Sequence, residues 1–219
     1  MAERIRSFTA DPVKFDEAVA LAVRYLNAGQ VIIVAAEIGY VYLADAFDAE
    51  AVKTIHILRG DSAGVAAQVF IKNSGVLAGI AAPLTPLQNE VLARFWPGLL
   101  SVTLKSQAGV NWNLGDERRL GLINVRVPNR EFLGKVLEKT GPLTTASIAF
   151  AGKPAITDLS EIIIREGDVG AVFDEGVLEV GVPTTILNFS ENEITLMREG
   201  AVTISQLQPL IPSISTVNL

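Results

Sequence analysis

Apolar residues along this chain recur first at helical spacing and then in short continuous runs, and the two patterns trade places to the end. Phe15, Ala18, Val19, Ala22 and Leu26 fall three and four residues apart and share one face of a helix. Asp11 is placed to cap that helix, Pro12 to fill its first turn and Gly29 to end it. Val31-Ile32-Ile33-Val34 is apolar without alternation, as in a strand buried on both faces. A second helix is predicted from Asp48, with Val52, Ile55 and Ile57 inward, followed by a strand over 65–71. Thr85-Pro86 opens another helix with Leu87, Val91, Leu92 and Phe95 inward, which Pro97-Gly98 stops. Strands over 101–104 and 121–127 precede a helix capped by Asn129, carrying Phe132, Leu133, Val136 and Leu137, and closed by Gly141-Pro142. Later strands are predicted over 169–173, 184–189 and 194–198. Strands and helices alternate irregularly, with no internal repeat and no linker-like composition break. The pattern predicts one α/β domain over 1–219 with a mixed sheet, its core at about 12–205 and a C-terminal tail over 206–219.

Composition narrows the chemistry. A chain of 219 residues and 23.4 kDa can bury about 70% of its unfolded surface, enough for a hydrophobic core without staples. It has no cysteine, which excludes a disulfide scaffold, a zinc finger, an iron–sulfur site and a cysteine nucleophile. One histidine excludes a multi-histidine metal site and leaves a Ser-His-Asp arrangement fragile. A net charge of −6 does not advertise nucleic acid. The opening MAERIRSFTADP lacks an apolar signal region, and the apolar stretch 31–47 is broken by Glu37 and Asp45, short of a membrane span. The mean hydropathy of +0.38 reads as a well-filled core, and the cytoplasm is the expected compartment.

General motif scans find neither GxxxxGK[ST] nor a GxGxxG after a strand, so neither phosphate-cradling fingerprint is present. His56, between Ile55 and Ile57, reads as a satisfied structural histidine. Arg118-Arg119 beside Asp116-Glu117 reads as a solvated loop, and Asp174-Glu175-Gly176 as an exposed hairpin turn.

A spaced set of motifs is more specific. AAEIGYVYLADA over 35–46 parallels PTDTVYGL with its following Asp-Ala, Glu37 standing for the Asp and Tyr40 for the Tyr. AVKTIHILRGDSAGVAA over 51–67 parallels AVKKIFxIKGRPxxKPL. Phe95-Trp96-Pro97-Gly98 with Leu100 and Ser101 parallels FWPGPLT, and Arg126-Val127-Pro128 parallels an RxP element. Gly141-Pro142-Leu143, Ser147 and Gly152-Lys153-Pro154 follow GPLxxTSANxSGKP. Val182-Pro183-Thr184-Thr185 follows VPSTVVD, and Leu196 with Arg198-Glu199-Gly200 follows LRxG. In order and at matching spacing from about Pro12 to Gly200, these residues resemble the YrdC-domain family of threonylcarbamoyl-AMP synthases.

The resemblance implies a YrdC-like α/β domain, a twisted, concave mixed sheet flanked by helices. It implies an enzyme joining L-threonine, bicarbonate and ATP, with Mg²⁺, into threonylcarbamoyl-AMP and pyrophosphate for tRNA modification. It places Tyr40, Arg126 and Thr184 on the threonine side, and Arg59, Ser147 and Arg198 on the nucleotide side. A guanidinium such as that of Arg126 can clamp a carboxylate through two parallel hydrogen bonds. The alternatives are a surface ion pair of Arg126 with Glu131 and a packing role for Tyr40. Departures gather on the nucleotide side: Asp61 replaces an arginine, and Ala36, Ala149 and Ala151 replace Thr, Asn and Ser. A unit charge pair at 4 Å is worth about 4 kcal/mol at an effective dielectric near 20, so the reversal at Asp61 weighs against a triphosphate. A second reading follows from these departures, a YrdC-like paralog that binds a small ligand, a nucleotide, tRNA or double-stranded RNA without the synthase reaction. Six residues, Tyr40, Arg59, Arg126, Ser147, Thr184 and Arg198, are expected to line one pocket.

Overall fold

The structure is a computed structural model that describes residues 2–164, 167–191 and 193–216. Its strands are β1 (Glu3–Arg6), β2 (Ile32–Ala35), β3 (Tyr40–Asp45), β4 (Gln68–Phe70), β5 (Leu100–Lys105) and β6 (Leu122–Arg126). They continue with β7 (Leu143–Ser147), β8 (Ala171–Asp174), β9 (Thr185–Asn188), β10 (Thr195–Arg198) and β11 (Ser215–Thr216). The helices are α1 (Pro12–Asn27), α2 (Ala49–Arg59), α3 (Leu77–Ile80), α4 (Pro86–Phe95), α5 (Glu131–Thr140) and α6 (Ile204–Leu207). All the strands join one open sheet in the order β1-β8-β2-β3-β7-β4-β6-β5-β9-β10-β11. Pairing is mixed: β1 and β2 run parallel to β8, whereas β3 is antiparallel to both β2 and β7.

Strand alternation divides the core. Ile32 and Val34 of β2 face α1 and α5 across an aromatic cluster of Phe8, Phe132 and Phe173, in which neighbouring rings lie 5.0–6.0 Å apart. Ile33 and Ala35 face the other way, onto α2 through Ala51 and Ile55. A third cluster lies where α4 covers β5, β6 and β9.

Several sequence expectations need correction. Ile57 and Leu87 are 69% and 39% exposed; the buried positions of their helices are Ala51, Val52 and Ile55, and Gln88, Val91 and Leu92. Gln88 can replace an apolar residue because its amide closes a capping box with Thr85 and donates to the Phe189 carbonyl at 3.1 Å. The strand expected from residue 65 begins at Gln68, with Val65 exposed. Asn129 does not cap α5; its backbone amide donates to Glu37 Oε1 at 2.7 Å, and Arg130 occupies the cap position. β1, β3, β7 and β11 were not expected, and the supposed tail packs on the sheet, burying Leu207 and Ile211. Met1 and Val217–Leu219 lie outside the described residues.

The largest correction concerns Asp174, which is buried at the end of β8 rather than exposed in a turn. Its Oδ2 accepts from Arg4 Nε at 3.0 Å and Arg6 Nε at 2.8 Å, and its Oδ1 accepts from the Gly176 amide at 2.9 Å. Burial alone would push its carboxyl up, but the hydrogen bonds from Arg6 and Gly176 and the charge of Arg4 hold it below the usual range. Its contribution to stability is therefore full above about pH 4 and is lost as pH falls through the depressed value. Asp174→Asn should cost about 1–3 kcal/mol at neutral pH in urea unfolding, and the gap to the parent protein should narrow as the pH falls below about 4.

Candidate functional site

A cavity of about 360 Å³ opens on the sheet where the β2–β3 turn, the segment after α2, the ends of β6 and β7 and the β9–β10 arm converge. Its wall includes all six expected residues, Tyr40, Arg59, Arg126, Ser147, Thr184 and Arg198, together with Ala36 and Asp61. Ala149 is buried and Ala151 exposed, and neither is among the cavity's lining residues.

Arg126 ends β6 and is 3% exposed. Its Nε donates to the Gly98 carbonyl at 2.8 Å, and its carbon centre lies 5.4 Å from the centre of the Phe70 ring. Its Nη2 forms an ion pair with Glu37 Oε1, a buried pair in place of the surface contact with Glu131 considered from sequence. Burial pulls the guanidinium below its ordinary value, opposed by the Glu37 charge. With Nε donating to Gly98 and Nη2 paired with Glu37, the fork left to a ligand carboxylate is one that includes Nη1.

Arg198 is held differently. Its Nη2 donates to the Thr184 carbonyl at 2.8 Å and to Thr184 Oγ1 at 2.9 Å, and its Nε to the same carbonyl at 3.1 Å. These acceptors are neutral; among the described residues no carboxylate pairs with Arg198, and burial lowers its pKa. The Thr184 hydroxyl accepts from Arg198 and keeps its own proton to donate.

Arg59, at the end of α2, lies with its Nε 3.1 Å from Asp61 Oδ1. Asp61 Oδ2 is 2.9 Å from His56 Nδ1, so the carboxylate on the wall faces two basic side chains. His56 is satisfied structurally, as expected. Ser147 Oγ accepts from the Ala149 amide at 3.2 Å.

Tyr40 is fully buried and belongs to the packing reading. On β3 its ring faces the α2 side with Tyr42 and Ala146, and its hydroxyl donates to the Gly176 carbonyl at 2.7 Å and accepts from the Glu175 amide at 2.9 Å. Burial, against the Glu175 hydrogen bond, raises the phenol well above its ordinary value. Tyr40 therefore borders the cavity with its hydroxyl already engaged elsewhere.

Sequence reasoning missed a polar floor. Gln68 Nε2 donates to Ser101 Oγ at 2.8 Å and to Asn124 Oδ1 at 2.5 Å, and Asn124 Nδ2 donates to Thr103 Oγ1 at 3.1 Å. Thr145 is 2% exposed, and its Oγ1 has no hydrogen-bond partner among the described residues. Alternation places Thr145 and Ser147 on one face of β7, a signal available only once that segment is read as a strand. For Mg²⁺ the donor set does not fit: among the described residues no group of three or more His, Cys, Asp or Glu could hold a metal ion, and Asp61 is already paired.

A family model for Sua5/YciO/YrdC proteins, described as "Telomere recombination", matches residues 24–200. A putative threonylcarbamoyl-AMP synthase of Mycobacterium leprae is 26% identical over 203 residues, covering 92% of this chain and 91% of that protein. The threonylcarbamoyl-AMP synthase of Bacillus subtilis is 25% identical over 200 residues, 90% of this chain but 57% of its own length. The structure of Pyrococcus abyssi Sua5 complexed with L-threonine superposes with a TM-score of 0.84 at 23% identity, over 99% of this chain and 62% of that one. Escherichia coli YciO superposes with a TM-score of 0.78 at 22% identity, over 92% of this chain and 96% of that one. The chain thus spans under two thirds of the length of the B. subtilis protein and of the P. abyssi structure.

The buried ion pair gives a stability prediction. Glu37→Gln keeps an acceptor for the Asn129 amide but leaves the Arg126 charge buried without its counter-ion, at a cost of about 3 kcal/mol in urea unfolding. Combining Glu37→Gln with Arg126→Met should recover most of that loss, and an additive loss would show that the pair is not coupled.

Proposed function

Because the chain belongs to the Sua5/YciO/YrdC family, we propose that its cavity is a threonylcarbamoyl-AMP synthase site, taking L-threonine, bicarbonate and ATP to threonylcarbamoyl-AMP and pyrophosphate. One observation carries the proposal. Arg59, Arg126, Ser147, Thr184 and Arg198 come from well-separated stretches of sequence and border one cavity of a size suited to small ligands. The reaction joins a carbamate oxygen of carboxylated threonine to the α-phosphorus as the bond from that phosphorus to the departing pyrophosphate breaks. In this reading Arg198 and the Thr184 hydroxyl hold an anionic group, and the part of Arg126 that faces the cavity supports the amino acid. Ser147 and Arg59 face the nucleotide, and fixed donors of this kind stabilise charge without reorganising during reaction. The product's destination is tRNA; a net charge of −6 gives no electrostatic support for RNA held directly by this chain.

Binding without turnover is the second reading, and Asp61 beside Arg59 favours it, because a carboxylate on the phosphate wall opposes a polyphosphate. Pyrophosphate release from ATP, dependent on both L-threonine and bicarbonate, separates the two. The synthase reading expects release, and Arg198→Ala should lower kcat/KM about 100-fold. Threonine binding with no pyrophosphate release would establish the second reading instead.

A further inference from the structure

The cavity's guanidinium groups differ in what they can still offer an anion. Arg126 is committed to Glu37, and Arg198 is held by neutral acceptors. Arg59 stands between these cases because its carboxylate is shared. Asp61 Oδ1 lies 3.1 Å from Arg59 Nε as an ion pair, and the Arg59 side chain is 30% exposed against 4% for that of Arg126, so Arg59 has room to leave its partner. Asp61 Oδ2 faces His56 Nδ1 at 2.9 Å, while His56 Nε2 faces the Leu114 carbonyl oxygen at 2.8 Å. A carbonyl oxygen and an ionised carboxylate both only accept. Both ring nitrogens are therefore satisfied only when both carry hydrogen, as the imidazolium.

The loop is shaped to hold the ring in that position. At Gly115, whose φ is +106°, a Cβ would lie 2.2 Å from His56 Nε2. Glycine alone lets the backbone close over the imidazole here. The side chains of His56 and Asp61 are 14% and 8% exposed, so solvent screens the pair weakly. The other charged residues that line the shallow pocket beside His56 are paired: Glu50 with Lys53 at 3.6 Å, and Glu117 with Arg119.

We propose that His56, Asp61 and Arg59 form a proton-controlled clasp on the phosphate side of the cavity, an inference that rests on the nucleotide reading above. With the imidazolium in place, Asp61 has a second cation and Arg59 is free to turn to a phosphate. When His56 loses its proton, Asp61 keeps Arg59. Affinity for a polyphosphate therefore falls as pH rises through the His56 titration. His56 acts as a positioning residue, through Asp61, without touching the ligand.

The chain contains one histidine, so the imidazole signals of untagged protein in an NMR titration belong to His56. Reciprocity requires a ligand favoured by the imidazolium to hold that proton in place, so saturating ATP should raise the His56 midpoint by about half a unit to one unit. The ratio of ATP affinity in the parent protein to that in Asp61→Asn cancels the titration of ATP itself. It should fall about three- to tenfold from below to above the His56 midpoint that the NMR titration measures. An unmoved His56 midpoint, or a flat ratio with ATP bound, overturns the clasp and leaves the nucleotide site standing. Absence of ATP binding by both proteins at both pH values overturns the nucleotide reading, and the clasp with it. If Asp61→Asn does not fold, the parent protein's NMR titration with and without ATP decides the matter alone.

Discussion

A buried guanidinium fixes the geometry of this site. Arg126 brings a full charge to the floor of the sheet, where such a charge is tolerated only with a counter-ion and hydrogen-bond acceptors around it. Glu37 from the β2–β3 turn, the Gly98 carbonyl ahead of β5 and the ring of Phe70 on β4 supply that surround. Glu37 also receives the Asn129 amide, so the entry to α5 is tied to the same point. Segments about 90 residues apart in sequence are thereby held at one edge of the cavity. The same ties that position Arg126 also take up part of its capacity to bind a ligand.

The charge left for a ligand follows from the pairings. Arg126 is balanced by Glu37, Arg59 is opposed by Asp61, and Arg198 rests on the neutral oxygens of Thr184. Among the described residues the wall offers about one uncompensated cation, in place of the multiple positive groups a triphosphate needs. That suits a small ligand with one carboxylate and places the difficulty on the nucleotide side. His56 bears on this difficulty directly, because it is the second basic group facing Asp61.

Legibility in the sequence followed the physics of each signal. α1 was readable because its cap, its proline and its apolar face agree, and α5 because four apolar residues mark its buried stripe. β3 and β7 were not, since YVYLAD and LTTAS are short and their strand character rests on neighbours distant in sequence. Motif spacing brought the six site residues to one cavity wall. It could not show which of their polar atoms were already engaged: Tyr40 lies where expected but directs its hydroxyl to Gly176. Asp174 was misread because a DEG sequence favours a turn, whereas Arg4 and Arg6 reach it from β1, about 170 residues earlier in the chain. The polar floor of Gln68, Asn124 and Thr145 carries no motif and emerges only from the register of β4, β6 and β7.

Calorimetric titration of the parent protein with L-threonine and with ATP, at neutral pH and in separate experiments, tests this charge balance most directly. With one uncompensated cation on the wall among the described residues, threonine should bind more tightly than ATP. ATP binding tighter than threonine would contradict the account, because it would mean that Asp61 does not restrain Arg59 and that the internal ion pairs do not set what the cavity accepts.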